Sequence, residues 1–78
     1  MKYVSKLSGD HKVHSYIRIE KEDENYYYGL VLAFFKGKLK QIVFNGNIEK
    51  HNCYILTKEE FDYLLEISIF DLEKHLEK

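Results

Sequence analysis

The side chains best suited to metal binding in this 78-residue sequence are its four histidines and its single cysteine. They are His11, His14, His51, His75 and Cys53. His11 and His14 are three residues apart on a predicted strand, so they point to opposite faces and are poor co-ligands. His51 and Cys53 can share a strand face, but a structural zinc site needs four ligands. We therefore expect no metal and no cofactor.

The residue types needed for catalysis do not occur here in a catalytic arrangement. Cys53 is expected to be a small buried side chain rather than a nucleophile. The neighbouring carboxylates Glu59 and Glu60 stand where a helix is predicted to begin, and capping explains them. No serine lies in a nucleophile elbow, and no glycine-rich loop precedes a helix. The sequence therefore predicts a protein that is not an enzyme.

Cations and aromatic rings are mixed along adjoining predicted strands. The residues concerned are Lys12, Tyr16, Arg18, Tyr27, Lys36, Lys38 and Lys40. Single-stranded nucleic acid is bound by such mixtures, because bases stack on rings and phosphates pair with cations. The segment CYILTKEEFDYLLE (53–66) also resembles the C-terminal strand and helix of the PC4-like single-stranded-DNA-binding fold. The alternative interpretation is a half-buried sheet face with lysines that protect an edge.

The element that must position these residues is the uncharged stretch Tyr26–Phe35, which has the length and composition of a strand. Both of its alternating faces are apolar, so we expect a central strand with a helix on one face and a binding surface on the other. A hairpin that pairs Lys21 with Tyr26 places Ile17 opposite Leu30. That register places Tyr16 and Arg18 on the face without the helix, beside Val31, whereas the facing of the following strand depends on the length of the loop before it. The candidate binding residues are Tyr16, Arg18, Tyr27, Val31, Phe35, Lys38 and Lys40.

The remaining elements complete an α+β fold. Tyr3–Leu7 is predicted as an edge strand, Leu39–Asn45 as a further strand that ends at the turn signal Asn45-Gly46-Asn47, and Cys53–Leu56 as a short last strand. Thr57 and Glu60 form a capping box, and Ser68 repeats the N-cap pattern. We expect one domain (1–78), a small antiparallel sheet of about four strands, and one or two C-terminal helices packed on one face. Two helices would meet near residues 67–68; a single bent helix is the alternative.

Charge is distributed unevenly between the two parts of the chain, although the net charge is −1. Residues 1–48 hold 8 Lys/Arg and 5 Asp/Glu, whereas residues 49–78 hold 4 and 8. The acidic helix surface is therefore a second candidate for binding, as a competitor for a cationic nucleic-acid channel. Its acids are Glu59, Asp62, Glu66 and Glu73. No apolar run reaches membrane-spanning length and the start lacks a signal-peptide core, so no membrane and a cytoplasmic location are expected.

The opening MKYVSKLSGDH, together with Ile17, Ile19, the Gly37-Lys38 turn and Phe44, resembles the small phage anti-CRISPR proteins that inhibit the type I-F surveillance (Csy) complex. The resemblance is strongest in residues 1–19, where Met1, Lys2, Leu7, Ser8 and His11 match. Members of that family have a small antiparallel sheet on two helices and bind the Cas7 backbone subunits, so that the guide cannot pair with target DNA. The resemblance implies a non-enzymatic inhibitor whose partner is a bacterial Cas effector protein in the host cytoplasm. Lys6 and Glu20 stand where we associate tyrosines with the family's binding face.

Three functions are thus compatible with the sequence. The first is a protein-binding inhibitor of the anti-CRISPR kind. The second is a single-stranded nucleic-acid-binding module, and the third is a small structural homodimer.

Overall fold

The computed structural model describes residues 2–76, with side chains described up to residue 70. The elements are β1 (Lys2–Leu7), β2 (Val13–Glu22), β3 (Tyr26–Phe35), β4 (Lys38–Glu49), β5 (Cys53–Leu56) and α1 (Lys58–Leu76). The strands form one antiparallel sheet in the order β4-β3-β2-β1-β5. The α+β antiparallel architecture is confirmed, but the sheet has five strands rather than about four. β1 is not an edge strand, because β5 pairs with it on the side away from β2.

The predicted register between β2 and β3 is wrong: Lys21 lies opposite Tyr28 rather than Tyr26. Ile17 lies opposite Val31, not Leu30, and Tyr16 lies opposite Leu32. Next to the hairpin the offset is two residues, and a bulge at Glu20, which is left unpaired between the pairs Ile19–Gly29 and Lys21–Tyr28, changes it to one. A shift of one residue moves every side chain of a strand to the other face.

β4 does not end at the predicted Asn45-Gly46-Asn47 turn but continues to Glu49. Phe44 and Asn45 together face Leu30, between the pairs Val31–Val43 and Gly29–Gly46. A Cβ atom at position 46 would lie 2.7 Å from Cγ2 of Val31. The glycine therefore serves a close strand contact rather than a turn.

The sheet curls strongly, because residues 50–52 must connect its two opposite edges. In a flat sheet β4 and β5 would be separated by about 19 Å, at roughly 4.8 Å per strand spacing. Four extended Cα–Cα steps, from Glu49 to Cys53, span only about 14 Å. The Lys6 ammonium donates to the carbonyl oxygens of Glu49 and His51, at 3.1 and 3.0 Å, across the face that the curl encloses. We call this enclosed side of the sheet the inner face and the other side the helix face.

Each face carries its own apolar cluster. The helix face has Tyr3, Leu30, Leu32 and Phe34 packed with Phe61 of α1. The inner face has Val4, Ile17, Ile19 and Val31, packed with Tyr27, Val43, Ile48 and Cys53. Ile17 is fully buried there without a helix over it, so the curled sheet itself supplies the cover.

α1 is one continuous helix, so the favoured prediction of two helices meeting near residues 67–68 is wrong. The predicted capping box is present: the Glu60 amide donates to Oγ1 of Thr57 at 3.1 Å, and Oε1 of Glu60 accepts from the Thr57 amide at 3.3 Å. Ser68 does not cap a second helix, because its hydroxyl donates to the Leu64 carbonyl at 2.8 Å, one turn back. Ser68 is fully buried, so it belongs to the packed side of α1. Within residues 2–76, no helix combines the length and hydrophobicity needed to span a membrane.

Candidate interaction surface

The seven sequence-predicted binding residues do not form one surface. Tyr16 and Arg18 lie on the helix face, with Tyr16 opposite Leu32 and Arg18 opposite Leu30. The Tyr16 ring stacks on His14 with centroids 4.4 Å apart and meets the edge of Phe34 at 5.7 Å. Burial against these neighbours raises the pKa of the Tyr16 phenol. Tyr16 therefore contributes to packing at the margin of the helix-face cluster.

The Arg18 side chain lies next to Glu20 of its own strand. Its Nη2 lies 3.4 Å from Oε1 of Glu20. Its side chain is 35% exposed, although the Nε atom is buried. The guanidinium thus interacts with an acid of its own strand.

Tyr27 and Val31 lie on the inner face, away from Tyr16 and Arg18. Val31 is only 7% exposed and is a member of the inner cluster. The Tyr27 ring has the Nζ atoms of Lys2 and Lys50 at 5.9 and 5.2 Å from its centroid. Cation–π contacts of this kind keep the ring faces occupied.

Phe35, Lys38 and Lys40 lie together at the β3–β4 hairpin. Phe35 is opposite Lys38, and Lys40 is left unpaired by a bulge in β4 between the pairs Phe34–Leu39 and Ala33–Gln41. Lys36 places its Nζ 5.5 Å from the centroid of Phe35. All four of these side chains are exposed, so they form a small basic tip separate from the other predicted site residues.

The described side chains provide no group of three or more His, Cys, Asp and Glu that could hold a metal ion. Cys53 is half-buried, and its thiol donates to the carbonyl oxygen of Glu49 at 3.3 Å. Burial raises the pKa of this thiol, although the nearby Lys6 acts in the opposite direction. Cys53 is therefore protonated at neutral pH, which disfavours nucleophilic chemistry there.

The outward side of α1 presents apolar side chains that sequence reasoning did not place on a surface. Tyr63 is 64% exposed, Phe70 is 65% exposed and Ile69 is 46% exposed. Tyr63 and Phe70 are seven residues apart, about two helical turns, so they share one side. The inward side is occupied by Phe61, Leu64, Leu65 and Ser68. We define the outer face of α1 as Glu59, Asp62, Tyr63, Glu66, Ile69 and Phe70.

Acidic side chains surround these apolar ones. Glu59, Asp62 and Glu66 are exposed, and only Asp62 has a cationic partner, Lys58 at 2.7 Å, among the described side chains. Glu73, predicted to belong to the same acidic surface, has a side chain outside the described ones. The sequence did contain a sign of this exposed apolar surface: Ile67, Ile69 and Phe70 make the apolar stripe too wide for the buried side of one helix. Ile69 and Phe70 are exposed and Ile67 is half-buried, so these side chains do not form the core of a second helix.

A scan against protein-family models, a search of curated proteins and a search of solved structures each found no match to this chain.

Proposed function

We propose that this protein is a non-enzymatic inhibitor of the anti-CRISPR kind, which binds a basic nucleic-acid-binding surface of a Cas effector through the outer face of α1. The observation that carries the proposal is the exposure of Tyr63 and Phe70 among acidic side chains. The target is proposed from the resemblance of residues 1–19 to inhibitors of the type I-F surveillance complex. The site of action is then the cytoplasm of the host cell.

The exposed aromatics are not explained by the stability of the fold. α1 already fills its inward side with Phe61, Leu64 and Leu65, and the Phe61 ring packs at a tilt against Tyr3 with ring centroids 5.2 Å apart. Tyr63 and Phe70 add apolar area in water on the opposite side. Exposed patches of this kind are typical of protein–protein interfaces, and aromatic side chains supply much of the binding energy in them.

The charge of the helix indicates the chemistry of the partner. Residues 58–70 contain one lysine and four acids, which are Glu59, Glu60, Asp62 and Glu66. A basic surface with apolar recesses complements this arrangement. Effector surfaces that hold guide or target strands are basic because they contact phosphates. An acidic helix on such a surface would compete with nucleic acid directly.

Nucleic-acid binding remains a second candidate, and the basic tip favours it. Phe35, Lys36, Lys38 and Lys40 combine an exposed ring with three cations at one hairpin. The tip is small, however, and Lys36 already lies over the ring. The acidic helix also repels phosphate. We therefore rank this function below protein binding.

The proposed function is tested with a purified, guide-loaded type I-F surveillance complex. Binding of a labelled target duplex is measured as the protein concentration is raised, and co-elution of protein and complex is followed in parallel. We expect saturable loss of target binding and a stable protein–complex species. A labelled single-stranded oligonucleotide, titrated with the protein alone, tests the second candidate.

The outcomes are distinct. No co-elution and no loss of target binding would overturn the proposed target. Tight, strongly salt-dependent oligonucleotide binding by the protein alone would favour the nucleic-acid function instead.

A further inference from the structure

The two edges of the curled sheet differ sharply in their protection against pairing. β4, at one edge, carries Lys38 and Lys40 and is interrupted by two bulges. β5, at the other edge, reads Cys-Tyr-Ile-Leu, without a charge, and pairs with β1 without a register shift. Lysines and bulges are the devices by which natural proteins keep edge strands unpaired. β5 has neither.

β5 also exposes two large apolar side chains. Tyr54 is 69% exposed and Ile55 is 91% exposed. An aliphatic row crosses the inner face from strand to strand and ends at Ile55. Its successive members are Val43, Val31, Ile17, Val4 and Ile55. Val31, Ile17 and Val4 are at most 7% exposed. Ile55, the last residue of this row, is therefore the member that is exposed to water.

We infer that β5 pairs antiparallel with β5 of a second copy of this chain. A two-fold axis perpendicular to the sheet would join the two five-stranded sheets edge to edge. This dimer goes beyond the proposed inhibitory function and does not depend on it. Pairing a strand with itself satisfies the free backbone groups of both copies at once.

The faces of β5 restrict the register of such a pair. Tyr54 and Leu56 point to the helix face, whereas Cys53 and Ile55 point to the inner face. Residues directly opposite in an antiparallel pair lie on the same face. The axis must therefore pass through a residue position rather than between two residues.

Two central registers meet this condition, and one fits better. With Tyr54 on the axis, Leu56 would lie opposite Asn52, which has a φ of 58° and is not extended. With Ile55 on the axis, Ile55 lies opposite its own copy and Tyr54 lies opposite Leu56. This register pairs only apolar side chains and continues the aliphatic row from one copy into the other. No like charges meet, because β5 has none.

The size of the contact predicts a weak dimer. A four-residue strand buries less than the roughly 800 Å² per partner of a standard interface. Sedimentation equilibrium should therefore be measured from micromolar to about millimolar protein. We expect the mass to rise from 9.4 kDa towards twice that value as concentration increases.

Ile55→Lys is the decisive variant, because it places two like charges at the axis while altering a side chain that the monomer leaves exposed. We expect the association constant to fall at least tenfold. Phe44→Lys, at a 73% exposed position of β4, is the matched control and should associate like the unaltered protein. Circular dichroism of all three proteins checks that the fold is retained.

A cross-linking measurement tests the register independently. Directly opposite residues have Cα atoms about 4.5–5.5 Å apart, within disulfide range. In a Cys53→Ser background, Ile55→Cys should form an intermolecular disulfide on mild oxidation, and Tyr54→Cys should form much less. A monomer at every concentration, equal association of Ile55→Lys and the unaltered protein, or faster cross-linking at position 54 would each overturn the inferred pairing.

Discussion

Tyr16 lies directly opposite Leu32 on the adjacent strand, so both side chains point to the face that α1 covers. This pairing decides which side of the sheet each residue of β2 occupies. It places Tyr16 in the margin of the packed core and sends Ile17 to the inner face, where it is fully buried. The sequence-predicted binding residues are therefore divided between the two faces of the sheet, and we propose the outer face of α1 as the binding surface instead.

The helix-face cluster should be sensitive to truncation at its centre. Leu32 is fully buried and packs with Phe34 and Phe61. We expect Leu32→Ala to lower the free energy of unfolding by about 2–5 kcal/mol. Urea denaturation measures this change. Phe44→Ala, at a 73% exposed side chain, is the control and should change stability little. A loss below about 1 kcal/mol for Leu32→Ala would contradict its central position.

The bulge in β2 requires a glycine on the opposing strand. A Cβ atom at position 29 would lie 2.0 Å from the carbonyl oxygen of Arg18. Because that obstacle is backbone, the strands would have to separate, and we expect Gly29→Ala to cost about 3 kcal/mol in thermal or urea unfolding. Gly9→Ala is a matched control, since a Cβ there meets nothing within 4 Å. Equal stability of the two variants would show that the strands do not approach so closely at position 29.

The stability of the protein should fall between neutral and mildly acidic pH, in part through His14. Burial against Tyr16 lowers the pKa of His14 below its ordinary value of 6.5. As pH falls below 6.5, the unfolded chain takes up this proton before the folded chain does. The contribution of neutral His14 is therefore complete above pH 6.5 and declines as pH approaches the folded-state pKa.

The contribution of His14 can be isolated by substitution. His14→Phe keeps a ring next to Tyr16 but removes the titration, so the difference in unfolding free energy between pH 7.5 and pH 5 should be smaller than in the unaltered protein. Nuclear magnetic resonance titration of His14, folded and in urea, checks the direction of the shift. A folded-state pKa above the value in urea would contradict the assignment.

Local signals in the sequence were sufficient for most of the elements. The composition of Tyr26–Phe35 predicted β3 with the bounds that the structure has. The Thr57–Glu60 capping box predicted the start of α1, and its hydrogen bonds are present. These features depend on neighbouring residues, which a sequence shows directly.

The face of the sheet to which each strand side chain points could not be predicted in the same way. The bulge at Glu20 changes the register by one residue and carries no distinctive residue type. Gly46 resembles a turn signal between two asparagines, yet it permits close contact with Val31, a residue 15 positions earlier. Such contacts are set by the curl of the whole sheet. Strand parity grouped Tyr16 and Arg18 with Val31, so the difference in register moves these two residues to the other face of the sheet.

The most direct test of the account is the effect of removing the two exposed aromatics of α1 on inhibition of target binding. Tyr63→Ala combined with Phe70→Ala should leave the fold intact, since both side chains are about two-thirds exposed. In the assay with the guide-loaded type I-F complex, we expect the double variant to need at least tenfold more protein for half-maximal inhibition. Phe44→Ala should inhibit like the unaltered protein. Undiminished inhibition by the double variant would contradict the assignment of the outer face of α1 as the binding surface.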